Sequence, residues 1–383
     1  FLYGGSSTRS ILLFTISSLL IIGLVVKLFR RNQPLVVPKS PIFLALFIYL
    51  FSLTTSAFIG FNSGNSFWSL ATRTTGLWYF LNLGLFAWIL WLVFSDREKY
   101  RKLLLVIILS TSLYSILSLL GPGGLDVIFK SYPGNAFTLS NSTFAGMYLF
   151  GAFLLSVYYL FQAERRKWWM YFLPVSLIIN PNILNRGVWF GDFSGGFIGE
   201  ARASAYVIFL SIFVLILVWL ISKIKNHHSK SVVSYSILGF SVLATFWAVY
   251  SLVTPNGFLQ QIYLKQATAV RPLAWEMSMK VFRERPVFGW GTDNFERVFE
   301  ANFDNRVLQD EYGNEAWLDR AHNVVIDRLV DGGVVGLILF ILVYLAIIFS
   351  SVYSALNSPE KNDRILSAIL LVYFPLHFVE LQT

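Results

Sequence analysis

The sequence predicts an all-α, polytopic transmembrane helical bundle, with about ten spans and a large helical extracytoplasmic loop. Three observations predict it. Hydrophobic residues make up 56% of the 383 positions and charged residues only 13%, where a soluble domain carries about 25% charged residues. Apolar runs near the ~20 residues needed to cross the hydrocarbon core recur along the chain. Lys and Arg gather in every second connection, as they do in cytoplasmic loops.

The spans fall at roughly 11–29, 41–60, 77–95, 103–121, 144–162, 168–184, 203–222, 232–252, 333–355 and 365–383. The sixth holds Pro174 and Pro181, so a kink or an early end is expected there. The connections with excess positive charge hold 16 of the 30 Lys and Arg, from Lys27 to Arg364, against five acids: Asp96, Glu98, Glu164, Glu360 and Asp363. This asymmetry explains the net charge of +9 without a nucleic-acid partner. Trp78, Tyr79, Trp168 and Trp169 lie near span ends, where interfacial aromatic belts form.

The chain opens at Phe1 and closes inside an apolar run, which reads as a fragment trimmed at both ends. The first apolar run is too long for a cleavable signal peptide. With no cysteine present, disulfides, thiolate nucleophiles and Cys-based zinc sites are excluded. Three parts follow: spans 1 to 8 over residues 1–253, an outer helical loop over 254–332, and spans 9 and 10 over 333–383.

The outer loop is too long for a plain connector. Pro272 suits the first turn of a helix running to about Arg285, which Pro286 ends. Trp275, Met279 and Phe282 give that helix an apolar face. After the turn 286-PVFGWG-291, Asp293 and Glu296 read as an N-cap and its reciprocal partner for a second helix. Phe295, Val298, Phe299 and Phe303 line one side of it. A third helix begins near Ala321 and enters the membrane after Gly332 and Gly333.

The candidate base is His322, outside the membrane at the start of that third helix, where an imidazole accepts a proton near neutral pH. The bland alternative is a structural His that caps the helix. Arg202 opens the seventh span behind a glycine-rich segment, and Arg271 opens the first loop helix. Either Arg reads as a snorkelling cation or as a guanidinium aimed at phosphate oxygens. Asn323, Asp319, Arg320 and Arg186 are supporting candidates, and Asp319, Asp327 and Asp331 flank the His. His322 has no ligand-spaced partners, so no metal site is expected.

The segments 271-RPLAWEMSMKVFRERPVFGWGTDNF-295 and 321-AHNVVIDRLVDGGVVGLILF-340 closely resemble the O-antigen ligase family. They carry its Arg-led helix, its P-x-x-G-x-G turn and its A-H-N helix start. The segments 134-GNAFTLSNSTFAGMYL-149 and 201-ARASAYVIFL-210 are similar to two further family segments. Ala201 stands where the family often has Ser.

The resemblance implies an inverting, metal-independent and cofactor-free glycosyl transfer at the outer leaflet of the bacterial inner membrane. The donor would be a glycan on undecaprenyl diphosphate, and the acceptor a hydroxyl of lipid A-core, a growing glycan or a protein. It casts His322 as the base, with Arg202 and Arg271 holding the diphosphate. O-antigen polymerase and protein O-oligosaccharyltransferase share this core. A transporter or lipid-linked glycan flippase is the alternative of another class. Span interiors nearly free of charge and the lack of an internal repeat weigh against it.

Overall fold

The computed structural model describes residues 15–23, 38–69, 75–94, 96–119, 142–163, 167–185, 197–199, 201–223, 270–309 and 320–381, with a few single positions between 247 and 261. Those residues form helices α1 (Pro41–Ile59), α2 (Ser63–Trp68), α3 (Leu77–Val93), α4 (Arg97–Leu119), α5 (Ser142–Gln162) and α6 (Trp168–Ile178). They continue as α7 (Arg202–Lys223), α8 (Val270–Glu284), α9 (Phe295–Ala301), a 3-10 turn (Asn305–Leu308), α10 (Val324–Asn357) and α11 (Lys361–Glu380). Among the described residues, five helices are long and apolar enough to cross a membrane: α1, α4, α5, α10 and α11. The spans expected at 11–29 and 232–252 lie mostly outside the described residues.

The sixth expected span is corrected. α6 has eleven residues, about 16 Å of helix, which does not cross a ~30 Å hydrocarbon core. It ends because Asn180 turns the chain: its carbonyl accepts from the backbone of Ile183 and Leu184. Pro181, which has no N–H to continue the ladder, lies inside that turn. A short return follows, in which residues 183–185 pair with 197–199 and Ala201 N–H donates to Asn182.

Two helix packs share one polar end. In the first, α1 and α10 run antiparallel: Tyr49 meets Phe340 midway along both, and Ser56 near the end of α1 meets Asp331 near the start of α10. Leu53 and Leu77 are fully buried there, against Phe340 and Val343. In the second, α5, α7 and α11 bury Leu149, Phe150, Phe153, Ala205, Ile208 and Ile369. Gly146 of α5 touches Ala201 and Ser204, so α5 and α7 start together. The Phe150 ring lies tilted against Tyr373 of α11, with centroids 5.3 Å apart. The last residue of that pack, Leu381, accepts a hydrogen bond from Val324 N–H. The starts of α5, α7 and α10 and the end of α11 therefore meet at one end of the bundle.

The loop helices form a third core of their own. Val270, Leu273, Ala274, Met277 and Val281 of α8 pack on Phe295, Val298 and Phe299 of α9 and on Val307, Ala321 and Val330. The buried face of α8 is thus not the expected Trp275, Met279 and Phe282 stripe, each of which is half-exposed. The two stripes differ by about half a turn of helix. The choice falls to the one whose small residues, Ala274 and Ser278, let the neighbours close in.

Candidate active site

The site end is organised by a break in α10. The 34 residues of this helix amount to about 50 Å, longer than the hydrocarbon core. Its first ten residues are set off by Gly333, whose φ of 63° is non-helical. An unbroken helix would join Val334 N–H to Val330 and Val335 N–H to Asp331. Instead Val334 and Val335 donate to Pro286 and Val287 at 2.8 and 3.2 Å. The freed carbonyls of Val330 and Asp331 accept from Trp290 and Gly291 at 2.8 and 2.9 Å. The 286–291 turn has entered the ladder and repartnered all four groups, as a helix break near lipid demands.

Glycine makes this insertion possible. Gly289 has φ 69°, and a Cβ there would lie 2.5 Å from the carbonyl oxygen of Val330. At Gly333 a Cβ would collide with the carbonyl of Val287. Ser56 Oγ lies 2.7 Å from Phe288 O and 2.6 Å from Asp331 O, so its single proton serves one carbonyl at a time. Beneath this joint, Arg328 forms a mostly buried ion pair with Asp331 at 3.3 Å, with its guanidinium 5.5 Å over the Phe80 ring.

His322 sits just ahead of this half-helix with φ 53°, a conformation uncommon outside glycine and usually held by its surroundings. Both flanks are anchored. Trp275 Nε1 donates to Ala321 O at 2.8 Å, and Ala321 N–H donates to Asp327 at 2.8 Å. Asn323 Oδ1 accepts from Val325 and Ile326 at 3.1 and 3.2 Å. The cap of α10 is therefore Asn323, not His322, and its carboxamide oxygen is taken up by the helix end. Asp327 and Asp331 are likewise occupied, one with the Ala321 backbone and the other with Arg328.

Arg271 lies one turn before Trp275 on α8, so i,i+4 spacing places it on the face that meets Ala321. It is half-buried. Arg202 is exposed at the first turn of α7. It reaches the same bundle end through another route, the contact of Ala201 and Ser204 with Gly146 and the packing of α7 on α11. The structure thus joins the Arg271 helix directly to the His322 segment and puts Arg202 at the same end, on the opposite pack. Arg320 is half-buried, and its buried Nε has no hydrogen-bond partner among the described residues. Asp319 and Arg186 lie outside the described residues.

The second loop helix is corrected at its start. The residue before it is Asn294, while Asp293 has φ 60° and its carboxylate accepts from Ser69 and Thr75. The reciprocal cap with Glu296 does not form because the carboxylate faces α2 and α3. Farther out, Arg306 joins Asp304 and Glu276 at 2.7 and 3.0 Å. Its hydrogen bonds hold the Asp304 carboxyl below the usual carboxylate range.

Trp275, Ser56 and Arg328 were not among the sequence candidates, although Asp331 was noted as a flank of His322. The roles of Trp275 and Ser56 depend on contacts between distant segments. A cavity of about 910 Å³ lies elsewhere, between α1 and α3 around Lys39, Phe43, Phe47 and Trp88, at the end away from His322. Its lining is apolar apart from Lys39 and Ser40, and it offers no group suited to this chemistry.

A family model described as O-Antigen ligase matches residues 193–341. No curated protein matches the chain. The matched segment runs from just before Arg202, through α8 and the inserted turn, into the long helix behind His322.

Proposed function

The segment 193–341 is that of the O-antigen ligase family, whose members are membrane glycosyltransferases, and from that premise we propose the reaction this chain performs. A glycan leaves an undecaprenyl diphosphate carrier and passes, with inversion, to an acceptor hydroxyl at the outer leaflet of a bacterial inner membrane. His322 takes the acceptor's proton as its oxygen attacks the anomeric carbon. Arg202 and Arg271 hold the diphosphate, which gains negative charge as the glycosidic bond breaks.

The observation that carries this reading is the bond from the indole of Trp275 to the carbonyl of Ala321. It ties the Arg271 helix to the residue beside His322. A fixed cation placed where charge develops stabilises it without reorganisation, by several kcal/mol in comparable sites. The proposal uses no metal and no cofactor, because the sugar arrives already activated and guanidinium groups answer the leaving charge.

The test is transfer by the purified chain from a polyprenyl-diphosphate-linked glycan. His322→Ala should lower turnover by about 10²- to 10⁴-fold while the protein still inserts and purifies. Retained transfer removes the base assignment. Arg271→Lys should impair transfer, because an ammonium lacks the two-point contact of a guanidinium. Reversible inhibition by EDTA would contradict the metal-free step.

A further inference from the structure

Beside the inserted turn lies an aromatic surface that the proposed chemistry does not use. Trp68 ends α2 and is 67% exposed, and Trp78 begins α3 and is 38% exposed. Their ring centroids are 6.0 Å apart, and Phe67 packs edge-on to Trp68 at 4.7 Å and tilted against Trp78 at 5.9 Å. Phe67 itself is anchored in the core of α1, α3 and α10. The two indoles are therefore braced from below and present area that needs little further ordering.

The neighbouring polar groups are unusual for a surface that only meets lipid. Ser69, next to Trp68, and Thr75, three residues before Trp78, both donate to the carboxylate of Asp293. Thr75 N–H also donates to Ser69 Oγ at 2.9 Å. Among the described residues the non-glycine positions with positive φ are Ser69, Asp293 and His322. Two of the three frame this patch, and the third is the proposed base.

We propose that Trp68, Trp78 and Asp293 form a sugar-binding subsite that holds the glycan during transfer; this rests on the glycosyltransferase reading above. The apolar face of a pyranose carries weakly positive C–H groups, which suit the negative face of an indole. An ionised carboxylate takes strong hydrogen bonds from hydroxyls, as Asp293 does from Ser69 and Thr75, and sugar hydroxyls are donors of the same kind. The placement fits as well. Asp293 belongs to the segment docked on Val330 and Asp331, and Phe80, two residues after Trp78, lies under Arg328. Arg328 is less than two turns of helix from Asn323. The patch and the His322 segment are thus both joined to the first part of α10.

The competing occupant is the lipid head-group layer, where Trp is common at span ends. Kinetics with donors of two glycan lengths separate them. With a full-length lipid-linked oligosaccharide, Trp68→Ala, which removes an aromatic face, and Asp293→Asn, which removes the charged acceptor, should each raise KM roughly tenfold. Turnover should change little, the thermal midpoint of Trp68→Ala should hold, and Trp68→Phe should recover part of the loss. With a donor carrying one sugar, wild type and variants should behave alike.

Equal KM values on the long donor would overturn the subsite. So would an equal defect on both donors, which marks a folding or membrane effect. Lipids brominated near the head group provide the other arm. Strong quenching of the Trp68 emission, taken as wild type minus Trp68→Phe and unaffected by released oligosaccharide, would assign the surface to lipid. If the wild type transfers nothing, the catalytic reading fails, and Trp68-dependent binding of the released oligosaccharide still decides the subsite.

Discussion

The two arginines proposed for the diphosphate are held by opposite means. Arg202 depends on close backbone packing: Gly146 touches Ala201 and Ser204, and a Cβ on Gly146 would come 2.6 Å from that of Ala201. The return from Asn182 to Ala201 supports it with main-chain hydrogen bonds. Arg271 and His322 depend on side chains: the indole of Trp275, the Asn323 cap, the Asp327 carboxylate and the buried Arg328–Asp331 pair. The first support has almost no side-chain chemistry to remove, so only added bulk disrupts it. The second is built from polar partners that can be deleted one at a time.

That contrast breaks most readily at the ion pair. Arg328→Met alone should destabilise the protein by about 3–5 kcal/mol, since Asp331 is left buried and unpaired. Adding Asp331→Leu should restore most of the loss, because an apolar pair of similar volume is often neutral. Thermal unfolding of the purified single and double variants reads this, and a double variant no better than the single would show that the joint needs the charges. Gly146→Val should cost about 1–3 kcal/mol through overpacking. It should reduce donor binding through Arg202 more than it disturbs the fluorescence of Trp275, and equal effects on both would erase the distinction between the two supports.

Smaller effects sharpen it. Asn323→Ala should cost about 1 kcal/mol as a lost helix cap and lower turnover by loosening His322, measured as kcat at saturating donor. At the outer margin, Arg306 depresses the Asp304 carboxyl. Any stabilisation from that pair is present above the ordinary carboxylate range and is lost as pH falls through the lowered value. Because the pair is exposed, Asp304→Asn should leave the thermal midpoint at neutral pH nearly unchanged. A clear drop would mean that the 3-10 turn bears on the site.

Much of this was legible before any coordinates. Apolar length marked α1, α3, α4, α5, α7, α10 and α11, turn and cap signals marked α8 and α9, and the pairing of R-P-L-A-W with A-H-N marked the family segment. The misreadings have physical causes. The face of α8 was set by small residues that admit neighbours rather than by its largest apolar side chains. Asp293 resembled a cap by spacing, yet it turned to hydroxyls more than 200 positions away.

By itself the sequence determined what is local or additive: an apolar content suited to lipid, a charge asymmetry between connections, glycines able to take positive φ, and the family of residues 193–341. Only the tertiary structure decided that 286–291 opens the ladder of α10 and repartners its four backbone groups. Backbone N–H and C=O are the same at every residue, so no side-chain pattern announces which distant carbonyl will take them. Their pairing is settled when the packs close and each buried polar group must find a partner.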